Sequence, residues 1–306
     1  MFTIARTCFA LALILAAALL NGCTAPTADV AKTTAEPLEL RVVSFNVLVD
    51  LEDPWDPRKE AIVKLLRDAN PDILGLYEMT PNQYTYVTGQ LSEYGHVGAV
   101  PLTPEDIDAI AVTVPVVKAI NMTAFTDVIL FYRNDAFEKL EDGHWWLSST
   151  PDKVSADFGN ALPRLIVWAK LRHKATGREL IAVATHFDNS MPSQTKMAEL
   201  SHTLMEPLLA QNLPMLFIGD FNTDQKRGDY TKLTSNGWRD SYTVSPKAGP
   251  GGRDDNVTTA INRTRIDHIF YHGDALVPKE WTRLEFPDPA KPLSDHYPVF
   301  ASFEWK

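Results

Sequence analysis

Cysteine is almost missing from this chain: Cys8 and Cys23 are the only two among 306 residues. No run of lysine and arginine occurs, and 29 such residues face 39 Asp and Glu, a formal charge of −10. A surface so acidic repels polyphosphates in bulk and offers no stripe that could track a nucleic-acid backbone, although a local basic cleft can survive a negative total. There is no His-Glu-x-x-His or His-x-His spacing, no Walker-type loop and no Gly-x-Ser-x-Gly elbow. These absences remove the common zinc hydrolases, the P-loop nucleotidases and the α/β-hydrolases. Low-complexity tracts and internal repeats are absent too, while 45% apolar content suffices for a substantial core.

What is present begins with a leader. Arg6 is the one charge in residues 1–22, and the apolar run Cys8–Leu20 is too short to span a bilayer comfortably. Leu20-Asn21-Gly22-Cys23 is similar to a bacterial lipobox, so the expectation is an exported chain acylated at Cys23 and held at an envelope membrane. Thr24 in place of Asp favours the outer membrane. With Cys8 lost and Cys23 acylated no disulfide can form, and the fold must rest on its core. Residues 23–37, rich in Thr, Ala and Pro, read as a tether. Residues 38–306 read as one domain, expected to be monomeric.

Strand and helix signals alternate from Leu38 onward. Leu40–Asn46 alternates like a strand. Pro57–Ala69 reads as a helix with Asp56 as N-cap, and Ile73–Tyr77 as a buried strand. A second helix is expected over Asn82–Leu91. Strands follow at Val128–Tyr132, Leu165–Arg172, Leu180–Thr185, Met215–Ile218, Ile266–Tyr271 and Tyr297–Trp305, with a long helix over Ser193–Leu209. So many strands with few helices between them suggest two packed sheets with helices outside them. Pro104–Ile120 carries seven Ile and Val. It reads either as core or a local hairpin cover, or as an apolar flap at the mouth of a site.

Polar residues cluster where these strands end. Asn46 and Glu78 close the first two, Thr185-His186-Phe187-Asp188 a third, and Gly219-Asp220-Phe221-Asn222 a fourth. Arg265-Ile266-Asp267-His268 opens a fifth, and Ser294-Asp295-His296-Tyr297-Pro298 precedes the last. Each has a dull explanation alone: a turn or Asx cap, a satisfied structural histidine, a solvated loop carboxylate. Six in one order describe a shared polar cleft.

This combination and order resembles the endonuclease/exonuclease/phosphatase superfamily across Leu38–Lys306. The resemblance implies an α+β fold, a four-layer α/β/β/α sandwich of two packed mixed β-sheets flanked by helices. It also implies hydrolysis of a phosphate ester with Mg²⁺, or Mn²⁺, as cofactor. Asn46 and Glu78 would hold the cation with help from Asp295, since Mg²⁺ suits few protein ligands and substrate oxygens. Asp220, beside Asn222, would orient or deprotonate the attacking water. His296, its tautomer set by Asp267, and His186 would contact the phosphate from two sides. Asp127, one methylene shorter than the glutamate of relatives, would orient His186, and Arg164 would lend a guanidinium to the substrate.

The resemblance leaves nucleases, sphingomyelin-type phospholipases and inositol-phosphate phosphatases open, as well as a catalytically silent ligand-binding lipoprotein. The acidic balance favours a compact substrate with one reacting phosphate, such as a small phosphodiester, over DNA or RNA.

Overall fold

Strands built on period-two alternation form the core of this molecule. The computed structural model describes residues 37–51, 53–120, 122–248, 257–260 and 263–306. The expected leader, Cys23 and the expected tether as far as Glu36 lie outside them. In chain order the first elements are β1 (Leu38–Asn46), α1 (Lys59–Ala69), β2 (Ile73–Tyr77), α2 (Pro81–Gln90), β3 (Tyr94–Val97), β4 (Val100–Pro101) and α3 (Pro104–Ala111). Next come β5 (Ala124–Phe125), β6 (Val128–Arg133), β7 (Phe137–Trp146), β8 (Leu165–His173), β9 (Glu179–His186), α4 (Met191–Leu209) and β10 (Met215–Asp220). The chain closes with α5 (Gly228–Leu233), β11 (Arg239–Asp240), α6 (Ser241–Val244), β12 (Lys247–Ala248), β13 (Asp267–His272), β14 (Leu276–Arg283) and β15 (Val299–Trp305).

One mixed sheet runs β12-β14-β15-β1-β2-β6-β3 and a second runs β11-β13-β10-β9-β8-β7. Alternate side chains explain their stacking. Val42, Ile73, Leu130, Ala182, Ile218 and Ile269 face inward and share one core between the sheets. Their neighbours Val43, Leu74 and Phe131 face outward onto Ile62, Leu66 and Val87 of α1 and α2. On the other side Val183, Phe217 and Phe270 face Met197, Met205 and Leu233 of α4 and α5. The result is the helix–sheet–sheet–helix sandwich that the strand count suggested.

α1 starts later than its sequence signals. Asp56 and Pro57 lie in a turn and Arg58 takes the cap position. The physical reason is the buried Arg58 guanidinium, which donates to the carbonyls of Val47, Leu48 and Leu293 and so ties this turn to the end of β1. Asp56 instead pairs with Lys59 at 2.5 Å. Asn70, with φ 45°, ends the helix in the left-handed cap conformation.

The apolar segment Pro104–Ile120 is helical rather than a hairpin, although β4 and β5 at its base do pair, Val100 against Phe125. Ile110 and Val117 enter the inter-sheet core, while Val112 and Val116 remain exposed. The core reading thus holds for Ile110 and Val117, and no residue of the segment lines the cavity at the strand ends. No helix of the described residues is long and apolar enough to cross a membrane.

Candidate active site

The inward face of each sheet changes from apolar to polar within one residue of the strand end. β9, β10 and β13 lie side by side with His186 opposite Asp220 and Asp220 opposite Asp267. In the facing sheet Asn46 stands opposite Tyr77, directly before Glu78, and Tyr77 opposite Val128, directly after Asp127. His186, Asp220 and Asp267 have the same parity as the core residues Ala184, Ile218 and Ile269. The polar site is therefore the continuation of the core to the edge of the sandwich. Gly75 makes room beneath it: a Cβ there would sit 2.3 Å from the Tyr77 hydroxyl. The Tyr77 ring consequently fits between the sheets, its hydroxyl 3.0 Å from Ser44 Oγ.

Two histidines frame the site in the same way. His296 Nδ1 meets Asp267 Oδ2 at 2.9 Å, and His186 Nδ1 meets Asp127 Oδ1 at 3.1 Å. Their Nε2 atoms approach one oxygen, Asp220 Oδ2, at 3.7 and 3.6 Å. Asp127, with a side chain one methylene shorter than glutamate, reaches its histidine. Burial lowers the affinity of both imidazoles for a proton. At His186 the Arg164 charge also opposes protonation, yet Asp127 and Asp220 outweigh both and raise its pKa. At His296, Asp267 and Asp220 overcome burial by more and raise the pKa well above the usual range. Burial would raise the Asp127 carboxyl, but His186 and Arg164 bring it down to about 2.

Asn46 donates from Nδ2 to Glu78 Oε1 at 2.8 Å and to Asp220 Oδ2 at 3.1 Å, while its oxygen accepts the Leu48 amide at 3.0 Å. Two carboxylates require the nitrogen, so Asn46 orients Glu78 and Asp220. Glu78 and Asn222 adopt left-handed backbone conformations, with φ 62° and 50°. Such geometry is uncommon outside glycine and persists where surrounding contacts enforce it. At Asn222 those contacts are its amide to Asp220 Oδ1 at 2.9 Å, its side chain to the Phe187 carbonyl at 2.9 Å, and Gln194 Nε2 to its own carbonyl at 2.7 Å.

Arg164 does reach the site, but not as a free cation. Its Nη1 donates to Asp127 at 3.1 Å and its Nε lies 3.7 Å from Asp188. The 2.9 Å approach of Nη1 to His186 Nδ1 brings two donors together, since that nitrogen's proton points to Asp127. Arg227 pairs with Asp229 at 3.0 Å, and buried Arg265 with Asp240 at 2.7 Å.

The assembled groups line a cavity of about 320 Å³, together with Leu48, Asn189, Thr259 and Ile266. A larger groove of about 910 Å³ between α1 and β14 holds none of them, and its size carries no chemistry. Glu78 and Asp295 are the two partly exposed carboxylates of the small cavity. Asp220, Asp267 and His296 offer ligand atoms within 4.8 Å of one another. Asp267 Oδ1 is buried without a hydrogen-bond partner. With Arg164 already paired, this excess of carboxylate fits a divalent cation. Sequence reasoning missed Gln194, Asn189, Thr258 and Thr259. Of these only Gln194 left a signal, a long polar side chain on the buried side of an expected helix.

A family model described as the endonuclease/exonuclease/phosphatase family matches residues 43–296. An uncharacterized protein of Acanthamoeba polyphaga mimivirus is 25% identical over 82% of this chain and 92% of its own. Among solved structures, an endonuclease/exonuclease/phosphatase family protein from Bacteroides thetaiotaomicron is 26% identical, with TM-score 0.73, over 89% of this chain and 99% of that one. A mannosyl-6-phosphatase of the same bacterium is 27% identical, with TM-score 0.72, over 87% of this chain and 100% of that one. The chain belongs to the endonuclease/exonuclease/phosphatase family, whose members hydrolyse phosphoester bonds.

Proposed function

We propose that this chain hydrolyses a compact phosphate ester, one reacting phosphate at a time, with a divalent cation. The observation that carries the reading is the pair of carboxylate-backed histidines whose Nε2 atoms converge on one Asp220 oxygen, at 3.6 and 3.7 Å. A phosphate seated there meets two imidazoles from opposite sides, each backed by a carboxylate that favours its protonated form. Asp220, held by Asn46 and the Asn222 amide, takes a proton from the attacking water. The water oxygen then forms the new bond to phosphorus, and the bond to the leaving oxygen breaks in line with it. His186 and His296 donate to the phosphoryl oxygens and balance the charge that develops on them. Glu78 and Asp295 would hold Mg²⁺, or Mn²⁺. Such a cation, when bound, supplies positive charge to the phosphate and leaving oxygens.

A cavity of about 320 Å³ suits a small ester better than a nucleic-acid groove. A small phosphodiester is the preferred substrate form. Similarity along the whole length of the mannosyl-6-phosphatase supports a phosphomonoester of a sugar as the second reading. The test is a screen of purified protein with Mg²⁺ on small diesters, sugar phosphates, sphingomyelin and plasmid DNA between 50 and 200 mM NaCl. Turnover of a small ester with shallow salt dependence is expected. Asp220→Ala and His296→Ala should each reduce it about 10²-fold or more, and EDTA should remove it until Mg²⁺ or Mn²⁺ is restored. Steeply salt-sensitive cleavage of DNA alone would establish a nuclease instead. Full activity in either variant would overturn the assigned roles.

A further inference from the structure

The Asp267–His296 pair joins two sheets: Asp267 opens β13 in one, while His296 stands ahead of β15 in the other. The two strands pack across the core but share no backbone ladder, so a direct hydrogen-bonded link between the backbones of their polar ends must come from elsewhere. The short extended segment Val257–Ala260 supplies it. On one side Tyr297 N donates to the Thr258 carbonyl at 2.7 Å, Ala260 N donates to the Asp295 carbonyl at 2.7 Å, and Thr259 forms a β-bridge with His296. On the other side Thr258 N donates to the Thr264 carbonyl at 2.7 Å. Thr258 Oγ1 accepts two successive amides, Ile266 N at 3.0 Å and Asp267 N at 3.2 Å. Successive strand amides point to opposite sides, so one acceptor for both bends the chain where β13 begins. Thr258 is fully buried, and water cannot replace its hydroxyl.

We propose that Thr258 is a positioning residue for the hydrolysis: its carbonyl holds the His296 segment and its hydroxyl the amide of Asp267, keeping the two side chains in register across the sheets. It does not line the cavity. Thr264, which both Thr258 and Thr259 bond, closes the same small loop and supports it. The catalytic part of this proposal rests on the function argued above. The positional part concerns only this chain's own geometry.

Thr258→Val preserves shape and removes the acceptor, leaving two buried amides unpaired, whereas Thr258→Ser keeps the oxygen. Each variant is assayed for kcat and KM on the best small ester, and the hydrogen-bonded His296 Nδ1 proton is followed by ¹H NMR, which needs no turnover. In Thr258→Val, kcat is expected to fall about tenfold or more with KM within about twofold. The downfield imidazole resonance should shift upfield or broaden away. Thr258→Ser should restore both readouts to within about threefold of wild type. An unchanged His296 resonance in folded Thr258→Val would overturn the proposal, whatever the activity. So would equal losses in the Ser and Val variants, or a Val loss confined to KM. If no ester is turned over by wild type, the functional reading fails, yet the resonance still decides whether Thr258 holds the pair.

Discussion

Replacing Asp240 by Asn should unfold this domain far more readily than its distance from the catalytic cavity suggests. Asp240 Oδ2 accepts Arg265 Nη1 at 2.7 Å and the Tyr230 hydroxyl at 2.8 Å, and Oδ1 accepts the Tyr242 amide at 3.0 Å. Asp240 and Arg265 side chains are 0% and 3% exposed, and the guanidinium lies over the Tyr242 ring at 4.3 Å. His268 Nε2 lies 2.9 Å from the Thr223 carbonyl, and its Nδ1 lies 2.7 Å from Arg265 Nη1 and 3.2 Å from Asp240 Oδ2. The Asp240→Asn variant therefore strands a buried guanidinium. Breaking one side of such a pair costs about 3–5 kcal/mol. With m near about 3 kcal/mol/M, the urea midpoint should fall by roughly 1 M, and Tm by roughly 10 °C. Removing both charges in Asp240→Leu/Arg265→Met should cost at least about 1 kcal/mol less than the sum of the single changes, because no charge is stranded. Burial alone would raise the Asp240 carboxyl, but Arg265 and His268 hold it well below the usual range. A depressed folded pKa adds stability above about pH 4 that is lost as the pH falls through the folded value. Wild type should thus lose more stability than Asp240→Asn on acidification. Urea titrations followed by circular dichroism measure all of this. A loss below about 1 kcal/mol in Asp240→Asn, or full additivity in the double variant, would refute the reasoning.

Two further predictions concern the site and the leader. Asp127→Asn removes the carboxylate that keeps His186 protonated, so the alkaline limb of the kcat profile should move to lower pH; an unmoved limb would mean that His186 does not act as an imidazolium. Cys23→Ser should leave the protein unprocessed or soluble in the envelope, and wild-type maturation with unchanged membrane fractionation would show that Cys23 is not the acylated residue.

The strands that sequence reading located are those with apolar residues on both faces, such as Val128–Arg133, fully buried up to its last residue. β7 escaped because it is an edge strand with Glu, Lys and Asp exposed along its length, where alternation loses its meaning. β14 escaped because Pro278 sits at a register break in its pairing with β15, which disguises the run as loop. The site residues could be named because strand-end motifs are local in sequence and keep their spacing in the fold.

Which of those residues serves which could not be read in the same way. Asn46 donates to a carboxylate 174 positions away, and Ser294 Oγ donates to the Asn46 carbonyl across 248. Such pairings are settled only when both sheets close over one core and leave each polar strand end the partners within reach. That closure gave Asn46 two carboxylates, which turned its nitrogen toward the cavity. It also gave Arg164 two acids, Asp127 and Asp188, as partners. Local patterning determined the strands and the chemistry available at their ends. The division of labour among those ends came from burial, because a buried donor or acceptor without a partner costs more than the chain can spare, and only the tertiary structure decides who the partner is.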